Sequence, residues 1–331
     1  VQTCALPICG STLREEKQSL TERDGGSKQT SDAPAQRNFY YTFNHLSSNW
    51  PKMHYPDAPT AVGYATQYRL TPEGKTTDAI PVTLKHMVEN AEFERECLMY
   101  GLCAEKKIPH VGRLLESGGI DHYFPKHWEW YFDGKHTIVL PRYDAISKVL
   151  TLQSYGRYVE QLLEFLVAMD EHGLVHLDIR PENIVWNAAL DEIVVIDFEL
   201  MRQLRSDGYC LLTVDDLVGG QPIIAPEIYD DMEVHGEHLC STLCDVYSAG
   251  VTAELWWEQL GDKAQALPKA LTLLIACMTE RERKNRISAG AAFKQFQEVK
   301  ALLKRVAGEY GDNQSVQCLE TENVTADPVS L

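Results

Sequence analysis

The sequence has no long apolar segment, and basic residues are scarce relative to acidic ones. No apolar run approaches the roughly 18 residues that a membrane-spanning helix requires. Lysine and arginine number 31 against 48 aspartates and glutamates, so the formal net charge is -17 at pH 7. Such an acidic surface disfavours binding to nucleic acid and to anionic membranes. We therefore expect neither nucleic acid nor a membrane as a partner.

The cysteines lack a repeating spacing, and their number, nine, is odd. In a chain of 331 residues this pattern is typical of reduced thiols and not of a disulfide framework. We expect an intracellular protein, located in the cytoplasm or the nucleus. His235, His238, Cys240 and Cys244 are close in sequence and are of types that bind zinc, but their spacing matches no recognisable zinc module. We therefore favour packing over metal binding for this group.

Both ends of the chain are poor in large apolar residues. Residues 10–38 are rich in Ser, Thr, Gln, Lys, Glu and Gly, and residues 308–331 have a similar composition. Such segments cannot bury enough surface to offset the entropy of ordering them. We predict a disordered leader over 1–38 and a disordered tail over 308–331. Residues 1–9 have no initiator methionine and no basic start of a signal peptide, and we expect them to be foreign to the native protein.

Between these ends the pattern changes once along the chain. Strand-like runs dominate up to residue 142, with one helical run at 90–106. The strand-like runs are 66–70, 80–85, 111–115 and 137–140. After residue 142, apolar residues recur at spacings of three and four, which predicts helices. The predicted helices cover 155–169, with Gly173 as the cap, 244–260 and 293–306. This order predicts an α+β chain in which a small strand-rich half, 39–142, precedes a larger helical half, 143–307.

The segment 176–183, HLDIRPEN, carries residue types that phosphoryl transfer requires. A carboxylate can orient an acceptor hydroxyl and accept its proton, and Asp178 offers one. Nucleotide phosphates need magnesium, a hard cation that takes oxygen ligands such as an Asn amide and an Asp carboxylate. Asn183 offers the amide, and Asp197, which follows the apolar run 193–196, offers a second carboxylate. A lone Asp is more often a helix cap, but the three residues together favour catalysis.

This segment resembles the catalytic loop of eukaryotic protein kinases, and 197–199 (DFE) resembles their metal-binding triplet. Residues 225–227 match the APE segment of that family in full, and 245–250 resemble the start of its central buried helix. In the first half, 82–85 resemble the strand that carries the nucleotide-binding lysine. Residues 93–96 resemble the helix whose glutamate holds that lysine.

The resemblance extends over 39–306 and implies a bilobal protein-kinase fold of the serine/threonine type, with an antiparallel-sheet N-terminal lobe and a larger helical C-terminal lobe. It implies ATP and magnesium as cofactors, and a protein substrate or a protein partner. By motif, the resemblance implies that Asp178 is the catalytic carboxylate and that Arg180 replaces the lysine that binds the γ-phosphate. It implies that Asn183 and Asp197 ligate magnesium, and that Lys85, paired with Glu96, contacts the α- and β-phosphates. The other implied nucleotide contacts are Leu140, Tyr143 and Gly63. The structural residues implied are Arg286, which pairs with Glu227, and Tyr100, His176 and Phe198, which stack between the lobes.

The glycine loop that binds phosphate in this family is eroded here. Within 59–68, Gly63 is the only glycine, and Tyr64 stands for the aromatic residue at the loop tip. Side chains at this loop keep the backbone away from phosphate, so we expect weak nucleotide binding. Glu199 replaces the glycine of the metal-binding triplet, which restricts the turn and adds a negative charge. Leu177 replaces the arginine that in this family usually binds a phosphorylated residue of the activation loop. This replacement argues against activation by phosphorylation.

Three functions remain open. The first is an ATP- and magnesium-dependent kinase that phosphorylates Ser or Thr. The second is a pseudokinase that serves as a binding or scaffolding module, which the lost glycines and Glu199 favour. The third is a small-molecule phosphotransferase, which can share the His-x-Asp loop. The APE segment and Arg286 count against this third function, because they shape a peptide-docking platform in the family that the chain resembles.

Overall fold

A computed structural model of the protein describes residues 39–46, 60–70, 76–87, 90–118, 136–213, 216, 223–261 and 269–309. The predicted leader, 1–38, and most of the predicted tail lie outside these residues. The last helix continues two residues into the segment predicted to be a disordered tail, because it ends at Glu309.

The N-terminal lobe is a five-stranded antiparallel sheet with one helix packed against it. The strands lie in the order β1-β2-β3-β5-β4. They are β1 (Phe39–Leu46), β2 (Thr60–Leu70), β3 (Thr76–Met87), β4 (Glu116–Gly118) and β5 (Thr137–Pro141). Helix α1 (Asn90–Lys106) follows β3 directly in sequence, and its buried residues include Glu96 and Tyr100. The short connection after β3 thus places a glutamate of the helix next to the central strand of the sheet.

The C-terminal lobe is mainly helical. Its helices are α2 (Leu152–Glu171), α3 (Pro226–His235), α4 (Thr242–Gln259), α5 (Lys269–Met278) and α6 (Ala289–Glu309). Its short strands are β6 (Asp144–Ala145), β7 (Leu174–Val175), β8 (Ile184–Asn187), β9 (Glu192–Val195), β10 (Arg202–Gln203), β11 (Cys210–Thr213) and β12 (Glu237–Cys240). The predicted bilobal α+β fold is confirmed. No helix within the described residues combines the length and apolar character that a bilayer crossing requires.

Helix α2 shows how local sequence sets the core of this lobe. It begins at a capping box, in which the Thr151 side chain accepts a hydrogen bond from the backbone of Ser154 and the Ser154 hydroxyl accepts one in return. Its buried stripe is Tyr155, Tyr158, Val159, Leu162, Leu163, Phe165, Leu166 and Met169. Gly173 follows with a φ of 62°, a left-handed conformation that suits glycine and stops the helix. The chain then turns back into β7 and the catalytic loop.

One predicted strand is wrong. Residues 111–115 form no strand, although Val111 makes an isolated bridge to Val195. The backbone N–H of Gly112 donates to the Val195 carbonyl at 2.9 Å, while that of Leu115 donates to Val139 of β5 at 2.8 Å. The segment therefore crosses from one lobe to the other, because successive backbone groups bond to different sheets. A Cβ at Gly112 would lie 3.0 Å from the Ile196 side chain, so this close approach favours glycine.

Candidate active site

Lys85 lies buried on β3, and its ammonium group contacts three carboxylates. Its Nζ atom is 2.8 Å from Oε2 of Glu96 on α1. The same atom is 2.7 Å from Oδ1 of Asp197 and 3.2 Å from Oε2 of Glu199. Because Asp197 and Glu199 follow β9, these contacts join the N-terminal sheet to the C-terminal lobe. Glu94, the other glutamate of this motif, is exposed and accepts a hydrogen bond from Asn90 instead.

The charges of this cluster shift its pKa values. Burial alone would lower the pKa of Lys85, but the charges of Asp197 and Glu96 outweigh burial and hold that pKa well above its usual range. Burial raises the pKa of Glu96 to about 7, against the attraction of Lys85. At Asp197, burial is outweighed by the charge and hydrogen bond of Lys85, so its pKa falls below the usual value. Lys85 has three N–H donors, and three carboxylates bond them. A phosphate oxygen must therefore displace a carboxylate to bind Lys85 fully.

The turn after β9 is held from both lobes. The backbone carbonyl of Glu199 accepts hydrogen bonds from Arg95 of α1 at 3.3 Å and from Arg202 of β10 at 3.2 Å. Asp197 has a φ of 72°, in the left-handed region that few non-glycine residues adopt. Such a conformation persists only where surrounding contacts enforce it, and it is frequent at functional sites. The bond from Lys85 to Asp197 is one such contact.

Asp178 and Asn183 lie together on the loop between β7 and β8. The amide nitrogen of Asn183 donates to Oδ2 of Asp178 at 2.6 Å and to its backbone carbonyl at 3.0 Å. Among the described residues, Oδ1 of Asp178 is buried and has no hydrogen-bond partner. Burial raises the pKa of Asp178 to about 6, and the nearby carboxylate of Asp197 acts in the same direction. Within the described residues, the loop therefore holds one carboxylate oxygen without a partner on a side chain that the charge of Asp197 reaches.

A buried carboxylate at the start of α4 fixes this loop. Asp245 accepts hydrogen bonds from the backbone N–H groups of His176 at 2.6 Å and Leu177 at 2.8 Å. Leu177 has a φ of 67°, which a bulky residue adopts only under constraint. Asp245 is a positioning residue that the sequence analysis did not single out. The sequence did contain a sign of this role. An acidic residue in the first turn of an almost wholly apolar helix is buried, and a buried charge needs a partner.

The predicted aromatic column is present. The rings of Tyr100 and Phe198 have centroids 4.5 Å apart, and those of His176 and Phe198 are 5.2 Å apart. Phe165 of α2 extends the column at 6.2 Å from His176. Burial lowers the pKa of His176 to about 4, so the ring is neutral and its Nδ1 accepts the Asp178 backbone N–H at 3.2 Å. The column thus packs α1 against the catalytic loop.

The remaining predicted nucleotide contacts lie beside these residues. Leu140 is buried on β5, opposite Thr83 of β3. The Tyr143 hydroxyl accepts the backbone N–H of Arg113 at 3.2 Å. Arg180 bonds Glu182 through Nε at 2.8 Å, on the same loop as Asp178. The roles assigned to Leu140, Tyr143 and Arg180 stay predictions.

The location of the glycine loop needs correction. Gly63 and Tyr64 lie within strand β2, where Gly63 pairs with Leu84 of β3 and with Leu46 of β1. They do not form a loop tip, because strands pair with β2 on both sides over these residues. Residues 47–59, which separate β1 from β2 in the sequence and lie outside the described residues, contain no glycine. The role of Gly63 as a nucleotide contact stays a prediction.

The APE segment and the arginine predicted to pair with it are joined. Arg286 donates from Nη1 and Nη2 to the two carboxylate oxygens of Glu227, both at 2.8 Å. Arg286 also donates to the backbone carbonyls of Glu280, Arg281 and Leu243 at 2.9 to 3.3 Å. This buried guanidinium therefore connects the start of α3 with the start of α4 and with the segment between α5 and α6.

The fold described above is that of protein kinases. Residues 131–259 match the family model of the protein kinase domain. This match and the kinases described below support the predicted membership of the eukaryotic protein-kinase-like superfamily. The family match begins after Lys85 and Glu96, so the placement of these two residues rests on the geometry of the site.

Three curated relatives share parts of the sequence. The dual specificity mitogen-activated protein kinase kinase of Drosophila melanogaster is 26% identical over 157 residues, which is 45% of this chain and 37% of the relative. The smooth muscle myosin light chain kinase of Gallus gallus is 33% identical over 103 residues, 31% of this chain and 5% of the relative. The Arabidopsis thaliana protein named Probable serine/threonine-protein kinase WNK4 is 28% identical over 130 residues, 37% of this chain and 21% of the relative. The matched segment thus spans at most 37% of the length of each of these relatives.

Proposed function

We propose that this protein is a magnesium- and ATP-dependent protein kinase that transfers the γ-phosphoryl group to a Ser or Thr hydroxyl. One observation carries the proposal. Asn183 bonds Oδ2 of Asp178, whose Oδ1 has no partner among the described residues, and the charge of Asp197 acts on this carboxylate. Asp197 bonds Lys85, and Lys85 bonds Glu96. Groups that would handle the hydroxyl, the metal and the phosphates therefore meet in one cleft between the lobes.

The donor set fits magnesium. The amide nitrogen of Asn183 is committed to Asp178, which orients that side chain and leaves its Oδ1 atom as the candidate ligand. Asp197 offers a carboxylate whose pKa is lowered, so it is ionised at neutral pH. Both are hard oxygen donors of the kind that magnesium selects. Magnesium bound there would neutralise phosphate charge.

In this mechanism Asp178 acts on the acceptor. Its Oδ1 would accept the hydrogen bond of a Ser or Thr hydroxyl and align that oxygen with the γ-phosphoryl group. Asn183 keeps the carboxylate oriented through Oδ2. Lys85 would contact the α- and β-phosphates after release of Glu199, and Glu96 would keep the lysine in place. Arg180 lies on the same loop and would stabilise the γ-phosphate, although its planar fork differs from a lysine ammonium.

A pseudokinase is the second candidate, and two observations favour it. Glu199 occupies one donor of Lys85, and the β1–β2 connection has no glycine to admit phosphate close to the backbone. Both weaken nucleotide binding. In this case the fold would serve to bind a protein partner. A small-molecule phosphotransferase is disfavoured, because the Arg286 and Glu227 pair maintains the platform that docks peptides in the resembling family. We also propose an intracellular location for either function.

Phosphate transfer from labelled ATP with magnesium, to the chain itself and to a generic Ser/Thr-containing protein, tests the proposal. We expect incorporation by the wild type and a roughly 100- to 10,000-fold loss in Asp178→Asn, since the acceptor oxygen is replaced by an amide. Asp191→Asn makes the same chemical change at an exposed residue and serves as the matched control. Phosphoamino acid analysis then distinguishes Ser and Thr from Tyr.

Two results contradict catalysis. One is the absence of incorporation by the wild type, and the other is incorporation that Asp178→Asn leaves unchanged. If catalysis is absent, a thermal shift with magnesium-ATP decides whether nucleotide still binds. A pseudokinase that has lost its nucleotide site shows no shift, whereas one that retains nucleotide binding does.

A further inference from the structure

Three residues of types that bind metal meet in the C-terminal lobe, outside the cluster around Lys85. The ligand atoms of His238, Cys240 and Cys244, one nitrogen or sulfur from each, all lie within 4.8 Å of one another. All three side chains are buried, with relative exposures of 6%, 0% and 2%. Two thiols and an imidazole that are all buried and within 4.8 Å of one another differ from the exposed clusters of such residues that arise by chance.

Strand geometry explains why these residues converge. Side chains alternate between the faces of a strand, so His238 and Cys240 share the inner face of β12, while Glu237 and Leu239 are exposed. Ser241 is the N-cap residue of α4, and Cys244 lies in the first turn of that helix. The turn from strand to helix therefore directs three ligand side chains to one point.

A fourth candidate ligand comes from a distant part of the sequence. Cys210 on β11 pairs directly with Cys240 in the antiparallel register. Its side chain is buried, and its thiol hydrogen-bonds that of Cys240. Strand pairing thus extends the cluster into the segment between the DFE and APE motifs. His235, the other residue of the sequence group, is exposed at the end of α3 and does not join the three.

We infer that His238, Cys240 and Cys244, with Cys210 as the fourth ligand, form a structural zinc site. Thiolates and imidazoles are the ligands of closed, tetrahedral zinc sites, in which three cysteines with one histidine are common. These soft donors exclude magnesium and calcium. Zinc lies about 2.0–2.3 Å from such ligands, so ligand atoms of one ion are about 3.3–3.8 Å apart. The ligand atoms of His238, Cys240 and Cys244 lie within 4.8 Å of one another, so a small rotation of the side chains would bring them to this spacing.

The chemistry of the cluster agrees with this site. Three thiols and an imidazole converge here from β11, β12 and α4. Each thiol can give up a proton to an incoming cation and bind it as a thiolate, whereas the neutral imidazole binds through its unprotonated ring nitrogen.

The site would fasten β11 and β12 to α4. The same residues Cys210, Cys240 and Cys244 pack with Leu177, which follows the catalytic-loop histidine, and with Ala225 of the APE segment. A zinc ion would therefore cross-link the segment between the two motifs to the base of the lobe. Its role is structural and does not depend on whether phosphoryl transfer occurs.

Metal analysis of the full chain tests the inference. The protein is expressed in zinc-supplemented medium and purified without chelator, and we expect about one zinc per chain. Cys240→Ser and Cys244→Ser should each weaken zinc binding by roughly 100-fold or more, because even changes outside the ligand shell cost 10–100-fold. Cys277→Ser, a change of an exposed cysteine on α5, is the matched control and should retain zinc.

A second measurement does not depend on the folding of the variants. Cobalt(II) added to metal-free wild type should give the thiolate charge-transfer and visible bands of a tetrahedral site. His238→Cys keeps four ligands, so it should bind zinc and shift the cobalt bands. Wild type without zinc and without these bands would overturn the inference. So would zinc that both serine variants retain, or a Cys240–Cys244 or Cys210–Cys240 disulfide found in unreduced peptides of the native protein.

Discussion

At the scale of single residues, Lys85 decides how readily the cleft accepts a nucleotide. Its three donors bond Glu96, Asp197 and Glu199. The pairing with Glu96 was predicted from sequence motifs, and Asp197 was predicted as a metal ligand but not as a partner of Lys85. The contact with Glu199 was not predictable, since a charged residue at a turn can face either solvent or the cleft.

Substitution of Glu199 measures this competition. Glu199→Gly removes a carboxylate that competes with phosphate for Lys85, and it restores freedom to the turn. We expect the Kd for magnesium-ATP to tighten by roughly tenfold, equivalent to about 1.4 kcal/mol. Isothermal titration calorimetry on the full chain measures the change.

Two controls separate the causes in that experiment. Glu199→Gln removes the charge but keeps the side chain, so it isolates the electrostatic part. Glu171→Gln makes the same change at an exposed residue of α2 and should leave the Kd unchanged. Equal or weaker affinity in both Glu199 variants would show that this carboxylate does not compete with nucleotide.

At the scale of secondary-structure elements, the C-terminal lobe depends on connections between helix ends. Arg286 precedes α6, and its guanidinium bonds Glu227 of α3 and the backbone carbonyl of Leu243 on α4. The sequence could predict the pairing with Glu227 from motif order. It could not predict the bonds to backbone carbonyls, because these depend on where each connecting segment ends in space.

Removal of this guanidinium should destabilise the lobe. We expect Arg286→Met to lower the free energy of unfolding by about 3–5 kcal/mol, since it removes a buried cation that Glu227 and three backbone carbonyls bond. Glu227→Gln should cost less stability, because Arg286 keeps its bonds to the backbone.

Urea unfolding followed by tryptophan fluorescence measures the free energy of unfolding of both variants. Arg281→Met, at an exposed pair with Asp230, should cost less than about 1 kcal/mol and is the control. Similar costs for both arginine variants would contradict this account.

The fold elements themselves were largely predictable, and the exceptions share a cause. Apolar periodicity located the helices because burial on one face leaves a 3.6-residue pattern. Residues 111–115 read as a strand, yet their backbone bonds are divided between the two lobes. The group of His235, His238, Cys240 and Cys244 was interpreted as packing because its spacing matches no zinc module. Nothing in the sequence indicated Cys210, which lies 28 residues before His238 and pairs with Cys240 across two strands. Contacts that depend on strand register or on segment ends leave no local pattern in a single sequence.

At the scale of the whole molecule, an acidic residue links the two lobes near the cleft. Oδ1 of Asp216 is 2.5 Å from Nη2 of Arg202 on β10 and 3.8 Å from Nη1 of Arg95 on α1. Its Oδ2 atom accepts hydrogen bonds from the backbone N–H and hydroxyl of Thr213 at 3.0 and 2.9 Å. The Asp216 carboxylate thus binds arginines from two elements, as the phosphate of a phosphorylated residue can do in other proteins. The expectation from Leu177, which argues against activation by phosphorylation, stays a prediction.

Loss of this charge should loosen both elements. In Asp216→Asn we expect faster amide hydrogen exchange in Cys210–Thr213 and in α1 around Arg95, because the arginines lose their shared anion. Mass spectrometry of peptides from these segments measures the change. Asp207→Asn, which alters an exposed acid between the DFE and APE motifs, should leave α1 unchanged. Equal protection of α1 in wild type and Asp216→Asn would disprove the link.

The positive φ of Asp197 affects how an inactive form of this protein should be made. Asparagine tolerates the left-handed region better than other non-glycine residues, whereas alanine strongly prefers other conformations. Asp197→Ala would therefore disturb the main chain as well as remove the carboxylate, and the turn that Arg95 and Arg202 hold could shift with it. Asp197→Asn keeps the shape of the turn while it abolishes the anion. Comparison of these two substitutions separates what the negative charge does from what the conformation of the chain does.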